Sequence, residues 1–358
     1  MTDTAMAVHP DWRIEQMPAL RELLAQWGGV PMHDRKALVL VEPGGADLVL
    51  ARALGELGSE VHLAHRSTAA GDDENLLGQA EAEALLREFA PDLLFDHDGF
   101  LTRIAHRAAP DVTGALLGVV NRTDSAPLDI RLEVPVLEAH PPRMFALLHL
   151  AEARQRALWQ VMACADLQPA GRRVAVVGFG AVGRMVAGYC TAMGMRVVVV
   201  EPDPVEALGA HFQGHEVRSR DAAVTESSVV IFTGRPSLVD ITSLPDGSLA
   251  AVVDPRLAEQ IVHGLDGVCA TRRHVRPGLT EYELGRGTRI YFAGDGTGPP
   301  GVGEQTTEVT ELQVALALLG ADHLLAEGHN PGQHELPRAL GDRVAAMKLM
   351  RLAETRRL

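Results

Sequence analysis

The chain has 358 residues, 46% of them hydrophobic and 4% aromatic, with a formal net charge of −14. That length exceeds one compact α/β layer and suits two domains whose cores rely on Leu, Val and Ala. The acidic balance argues against nucleic acid or an anionic membrane as partner.

No apolar run approaches the roughly 20 residues of a membrane span. The N-terminus lacks the basic and apolar regions of a signal peptide, so a cytoplasmic location is expected. Cys164, Cys190 and Cys269 sit among apolar or small neighbours and read as buried small hydrophobes. No His/Cys/Asp cluster shows metal-ligand spacing, and no metal is expected.

Residues 1–35 read as an irregular arm plus a short helix, Met17–Trp27. Lys36–Val41 is a buried strand, turned by Glu42-Pro43-Gly44-Gly45. Helical periodicity over Ala46–Leu57 ends at Gly58, and Glu60–Ala64 is the next strand. A polar loop, Gly71-Asp72-Asp73-Glu74, precedes a helix over Asn75–Ala90 that Pro91 stops. Asp92–Phe95 is a third strand and Phe100–Ala108 a helix. Residues 113–142 hold short apolar pieces with turns. A long helix, Met144–Ala165, follows and can bridge two domains.

The second half opens on Arg173–Val177, a β-branched run suited to a strand buried on both faces. Gly178, Gly180 and Gly183 follow in G-x-G-x-x-G spacing. A helix runs to Met193, and the strand Arg196–Val200 ends in Glu201. Each glycine has a mechanical reason. Gly178 permits the sharp turn, Gly180 removes the side chain where a pyrophosphate approaches, and Gly183 lets helix and strand pack closely. The helix N-terminus offers its N–H groups to the anion. Glu201 suits the adenosine ribose hydroxyls and repels a 2′-phosphate, which favours NAD over NADP. A bare tight turn between strand and helix is the alternative. Beyond it come a helix over Val205–Phe212, strands at Val229–Phe232, Leu249–Val253 and Val268–Thr271, and a hairpin into Arg289–Phe292. A glycine-rich loop spans Gly294–Gly303, and Leu336–Leu358 is helical.

Cofactor contacts are thus expected from Gly178, Phe179, Gly180, Ala181, Val182 and Gly183, from Glu201 and Pro202, and from the strand ends Thr233-Gly234 and Val253-Asp254. Asp96, His97 and Asp98 follow a parallel strand, where α/β pockets open. A histidine between carboxylates suits a proton shuttle; the other reading is a solvated turn with Asp96 capping the next helix. His149 suits a base near the expected interdomain cleft, or an interior histidine satisfied by a neighbour. Glu138-Ala139-His140 reads as a surface loop more readily than as a base or ligand. Asp254 and Arg256 suit substrate contact or a local ion pair. Glu304 and Gln305 suit a helix cap or the cleft wall.

The order of elements, and above all residues 171–217 (GRRVAVVGFGAVGRMVAGYCTAMGMRVVVVEPDPVEALGAHFQGHEV), resembles the S-adenosylhomocysteine hydrolase (adenosylhomocysteinase) superfamily. Ile231-Phe232-Thr233-Gly234, His334-Glu335-Leu336-Pro337-Arg338-Ala339-Leu340, Met17-Pro18-Ala19-Leu20 and Leu94–Thr102 are similar to family stretches in the same order. The resemblance implies an α/β fold of two domains. A flavodoxin-like βα substrate domain would cover residues 1–157 and a Rossmann NAD-binding domain residues 158–303. C-terminal helices, 304–358, would return to the substrate domain or to a partner subunit in a homodimer or homotetramer. It also implies a redox-neutral cycle: bound NAD oxidises a sugar hydroxyl, the ketone acidifies the neighbouring C–H, a base removes that proton, the leaving group departs, water adds, and the ketone is reduced again.

The substrate pocket departs from the family pattern. Pro43-Gly44-Gly45 replaces a His–Met–Thr. Leu117-Gly118 falls where an acidic doublet stands. Phe145, His149 and Leu150 align with a lysine and an Asp–Asn. Asp254-Pro255-Arg256 replaces Gly–His–Phe, and a basic tyrosine-bearing tail is missing after Leu358. These changes argue against ordinary hydrolysis of S-adenosylhomocysteine. The expected activity is oxidation and elimination, of lyase or dehydratase type, on a nucleoside-like or sugar-like small molecule in specialised metabolism. An ordinary NAD-dependent dehydrogenase of a small hydroxy compound and a non-catalytic NAD-binding regulator are the competing readings.

Overall fold

The computed structural model describes residues 10–28, 32–41, 46–65, 78–122, 128–139, 142–233, 240–253, 255–285, 287–293 and 306–355. The chain forms two compact units, residues 1–147 with 304–358 and residues 148–303.

The first unit opens on α1 (Pro10–Glu15) and α2 (Pro18–Trp27), one helix more than the arm was expected to hold. Then come β1 (Lys36–Val41), α3 (Ala46–Glu56), β2 (Glu60–His65), α4 (Gln79–Phe89), β3 (Leu93–Asp96), α5 (Phe100–Ala108), α6 (Pro110–Thr113), β4 (Gly118–Asn121) and β5 (Pro135–Glu138). The last two strands fall in the stretch that showed only short apolar pieces. At four residues each, they are too short to display a period. The helix α7 (Pro142–Ala165) carries the chain across the division between the units.

The second unit continues with β6 (Arg173–Val177), α8 (Ala181–Ala192), β7 (Arg196–Val200), α9 (Pro204–Phe212), β8 (Glu216–Val217), α10 (Arg220–Glu226), β9 (Val229–Phe232), β10 (Ser248–Val252), α11 (Pro255–Asp266), β11 (Cys269–Arg276), β12 (Leu279–Leu284) and β13 (Thr288–Ala293). The C-terminal part adds α12 (Thr307–Glu327), β14 (Gly332–Glu335) and α13 (Arg338–Thr355) to the first unit.

The first sheet has the order β14-β5-β4-β3-β1-β2, parallel throughout. The five strands β5-β4-β3-β1-β2 follow the flavodoxin-like order, and β14 adds a sixth from the far end of the chain. The second sheet runs β11-β12-β13-β10-β9-β6-β7-β8. Six of its strands are parallel in the doubly wound dinucleotide-binding order, and β11 and β12 extend one edge antiparallel. Val174, Ala175, Val176 and Val177 are all buried, as a strand covered on both faces requires.

α12 is the one described helix long and apolar enough to cross a membrane. The sequence reading saw no such run, because the helix carries acids at Glu308, Glu311 and Asp322. Its apolar residues are buried all round, against β4 and β5 on one side and α2, α3 and α13 on the other. Gly320 allows the close approach: a Cβ there would stand 3.0 Å from Leu137. An all-round apolar helix in that position is a core helix.

Candidate functional site

The glycine loop stands at the switch point of the second sheet, between the ends of β6 and β9. Gly178 adopts φ +97°, and a Cβ there would stand 2.6 Å from Thr233 Oγ1. A Cβ on Gly183 would meet the Gly178 carbonyl oxygen at 2.1 Å, so the first turn of α8 lies directly on the strand end. At Gly180 an added Cβ would meet nothing within 4 Å. That gap is what a pyrophosphate needs to reach the backbone. Gly180 is the N-cap of α8, and the first-turn N–H groups of Ala181, Val182 and Gly183 give this 12-residue helix an anion-attracting end.

Glu201, 9% exposed, closes β7 beside the loop. Its Oε2 accepts from the Phe179 N–H (2.6 Å) and its Oε1 from the Asp203 N–H (3.0 Å). The carboxylate therefore fixes the loop and places negative charge where a 2′-phosphate would lie. The Thr233 hydroxyl reaches the carbonyls of Val177 and Gly178, both at 3.0 Å. It holds the turn from the neighbouring strand, whereas from the sequence it was expected only to contact the cofactor. Phe179 also differs from expectation. Its side chain is buried against His215, ring centroids 5.6 Å apart, and its N–H belongs to Glu201. Val253 is a core residue whose N–H donates to the Phe232 carbonyl. Pro202 is exposed and precedes Asp203, which caps α9. Gly234 and Asp254 lie outside the described residues. Burial lowers the His215 pKa from its ordinary value, and burial pushes the Cys190 thiol up to about 12.

A second polar constellation occupies the carboxyl edge of the first sheet. Asp96 is fully buried and accepts from the N–H groups of His97, Leu101 and Thr102 and from the Thr102 hydroxyl. It is the anchor of α5, as the capping alternative has it, and its oxygens are engaged. His97 differs. Its Nε2 lies 3.3 Å from Asp47 Oδ1, and its Nδ1 is buried with no hydrogen-bond partner among the described residues. Asp47, at the start of α3, also pairs with Arg122, which follows β4. Arg122 Nη2 donates to the Leu40 carbonyl at 2.7 Å, while its Nε is buried with no hydrogen-bond partner among the described residues. The ends of β1, β3 and β4 thus bring Asp47, His97 and Arg122 together at the switch point between β1 and β3. Sequence reading missed Asp47 and Arg122. A lone acid in a helix and a lone arginine after a strand carry no local pattern.

The tautomer follows from the partner. A carboxylate only accepts, so His97 Nε2 carries a proton toward Asp47, and in the neutral ring Nδ1 is then the basic nitrogen. The site offers one buried base atom beside one buried cationic donor. Next to it, Glu138 accepts from Asn121 Nδ2 (2.8 Å) and Gln333 Nε2 (2.5 Å), tying β5 to β4 and β14. Glu138 is thus a sheet-end tie, not a loop residue. Asp98 sits in the turn at φ +51°, its carbonyl accepting from Arg103. His149 lies in α7, in the second unit, with its side chain outside the described residues. So do the side chain of Arg256 and the whole of Pro43–Gly45, His140, Glu304 and Gln305.

Residues 151–297 match the family model for the S-adenosyl-L-homocysteine hydrolase NAD-binding domain. An adenosylhomocysteinase of Thermotoga maritima is 31% identical over 284 residues, covering 72% of this chain and 68% of the relative. An S-inosyl-L-homocysteine hydrolase of Methanopyrus kandleri is 28% identical over 383 residues, covering 95% and 88%. Among solved structures, the NAD+-bound 3-phosphoglycerate dehydrogenase of Entamoeba histolytica aligns with a TM-score of 0.41 at 14% identity, over 82% of this chain and 96% of that one. NAD is the cofactor, held by the unit that carries the glycine loop. The chain belongs to the S-adenosylhomocysteine hydrolase superfamily and is an NAD-dependent enzyme acting on a small molecule.

Proposed function

We propose that this enzyme runs a redox-neutral oxidation and elimination on a nucleoside-like or sugar-like substrate, with His97 as the proton-abstracting base. The observation that carries the reading is the Nδ1 of His97, buried with no hydrogen-bond partner among the described residues, on a ring oriented by Asp47 at the switch point of the first sheet. Bound NAD supplies reversible oxidation of a hydroxyl-bearing carbon, which makes the adjacent C–H acidic. His97 Nδ1 takes that proton, and Asp47 stabilises the imidazolium that forms. Arg122 pairs with Asp47 and keeps it in place. Asp96 positions His97 through the main chain and takes no part in proton transfer. The names of the relatives support a thioether-bearing nucleoside as the substrate class. The rewritten residues at 43–45 and 254–256 favour a different leaving group.

The test is incubation of the enzyme and NAD with adenosine-type nucleosides deuterated at the oxidisable carbon. Loss of the leaving group with deuterium retained at that carbon is the expected result. Net accumulation of free NADH would replace this reading with a plain dehydrogenase. His97→Asn should lower turnover by about 100-fold or more, the usual contribution of a general base, with NAD affinity unchanged. Full activity in that variant rules out His97 as the base.

A further inference from the structure

At the opposite, amino edge of the first sheet, α12 ends in a group of side chains the catalytic reading does not use. His323 and Glu327 lie one turn apart, with Nδ1 of the histidine 3.4 Å from Oε1 of the glutamate. Gly328 then takes a left-handed conformation, φ 59° and ψ 77°, and turns the chain so that His329 folds back over the helix end. The rings of His323 and His329 stand 4.7 Å apart between centroids, and those of His329 and His334 5.0 Å apart. One ligand atom each from His323, Glu327 and His329 lie within 4.8 Å of one another. The Nε2 of His329 is buried with no hydrogen-bond partner among the described residues.

We propose that His323, Glu327 and His329 bind a divalent transition-metal ion, with zinc the best match to two imidazoles and a carboxylate. Bonds of about 2.0–2.2 Å to a tetrahedral ion put ligand atoms about 3.3–3.5 Å apart, so the three side chains need close by little more than ~1 Å. His334 has the outer-layer geometry of a ligating histidine. Its Nε2 contacts the Asn330 carbonyl at 2.8 Å, which directs the Nδ1 lone pair away. The fourth position falls to that ring or to a water.

The place in the fold says what the ion would do. Leu324, one residue after His323, packs at Gly118, the first residue of β4, and Gly332 pairs with Pro135, the first residue of β5. The cluster therefore lies at the end of the sheet away from His97. An ion there fastens α12 to the turn that delivers β14 and takes no part in catalysis. The sequence gives no metal-ligand spacing here, and His323 with Glu327 was not singled out from it. The third ligand depends on the left-handed turn at Gly328.

The experiment is zinc titration of the full chain after chelator treatment, read by bound-metal stoichiometry, by melting temperature, and by the visible spectrum with Co2+ in place of zinc. One ion per chain, a higher melting temperature and a four-coordinate cobalt spectrum are expected. Glu327→Gln, at an exposed side chain, and His329→Ala should each weaken zinc binding at least tenfold and leave NAD affinity unchanged. Absence of stoichiometric metal, or both variants binding zinc as tightly as the parent, overturns the proposal. His334→Ala tells the two fourth ligands apart: loss of affinity names the ring, and retention names water.

Discussion

At the scale of single residues, the three glycines of the loop make separable demands. A Cβ at Gly183 collides with main chain, which cannot swing aside, whereas one at Gly180 enters open space. Gly183→Ala should therefore cost about 1–3 kcal/mol of stability through overpacking. Gly180→Ala should melt within a degree or two of the parent yet bind NAD at least tenfold more weakly, because the methyl occupies the ground of the pyrophosphate. Calorimetric unfolding with NAD titrations on both variants checks this. A Gly180→Ala protein that binds NAD normally would mean that the gap serves another ligand. His97 belongs to the same scale: one imidazole nitrogen is held by Asp47, and the other is buried with no hydrogen-bond partner among the described residues.

Between elements, the most consequential contact is made by Glu311. The helix α2 has Met17 at its N-cap position and no side-chain cap of its own. Glu311, fully buried on α12, supplies the acceptor from nearly 300 residues away, taking the N–H groups of Ala19 (2.6 Å) and Leu20 (3.2 Å). The same carboxylate pairs with Lys348 of α13, whose side chain is 12% exposed. Removing one member strands a buried charge, so Glu311→Ala should cost about 3–5 kcal/mol. A double change, Glu311→Leu with Lys348→Met, should recover most of that loss, leaving about 1 kcal/mol for the missing cap. Urea unfolding of the single and double variants measures the difference. A double variant as unstable as the single would show that the cap, not the ion pair, dominates.

Over the whole molecule, the chain divides its labour by sheet. One sheet carries the dinucleotide loop; the other carries the polar cluster at the switch point between β1 and β3. Because NAD binds the folded second unit and not the unfolded chain, its presence at 100 times Kd should add about 2.7 kcal/mol to that unit's unfolding free energy. The same concentration should add about 1.4 kcal/mol or less to Gly180→Ala, given binding at least tenfold weaker. Thermal unfolding with and without NAD decides it, and an equal gain in both proteins would point to a binding mode independent of the loop.

Residues 173–201 were legible from the sequence because every step there is local. A β-branched run, three glycines at fixed spacing, a helix and a second apolar run each act on neighbours within a few positions. Lys36–Val41 and Phe100–Ala108 were legible for the same reason, with their bounds read as the structure has them. Local pattern could also place His97 after a strand, but not say which of its nitrogens is held. That was decided by tertiary structure, since Asp47 is 50 residues from His97 and 75 from Arg122 in the chain. The addition of β14 to the first sheet and the burial of α12 were settled in the same way. Parallel pairing and helix burial depend on partners far along the chain, and no window of neighbouring residues contains them.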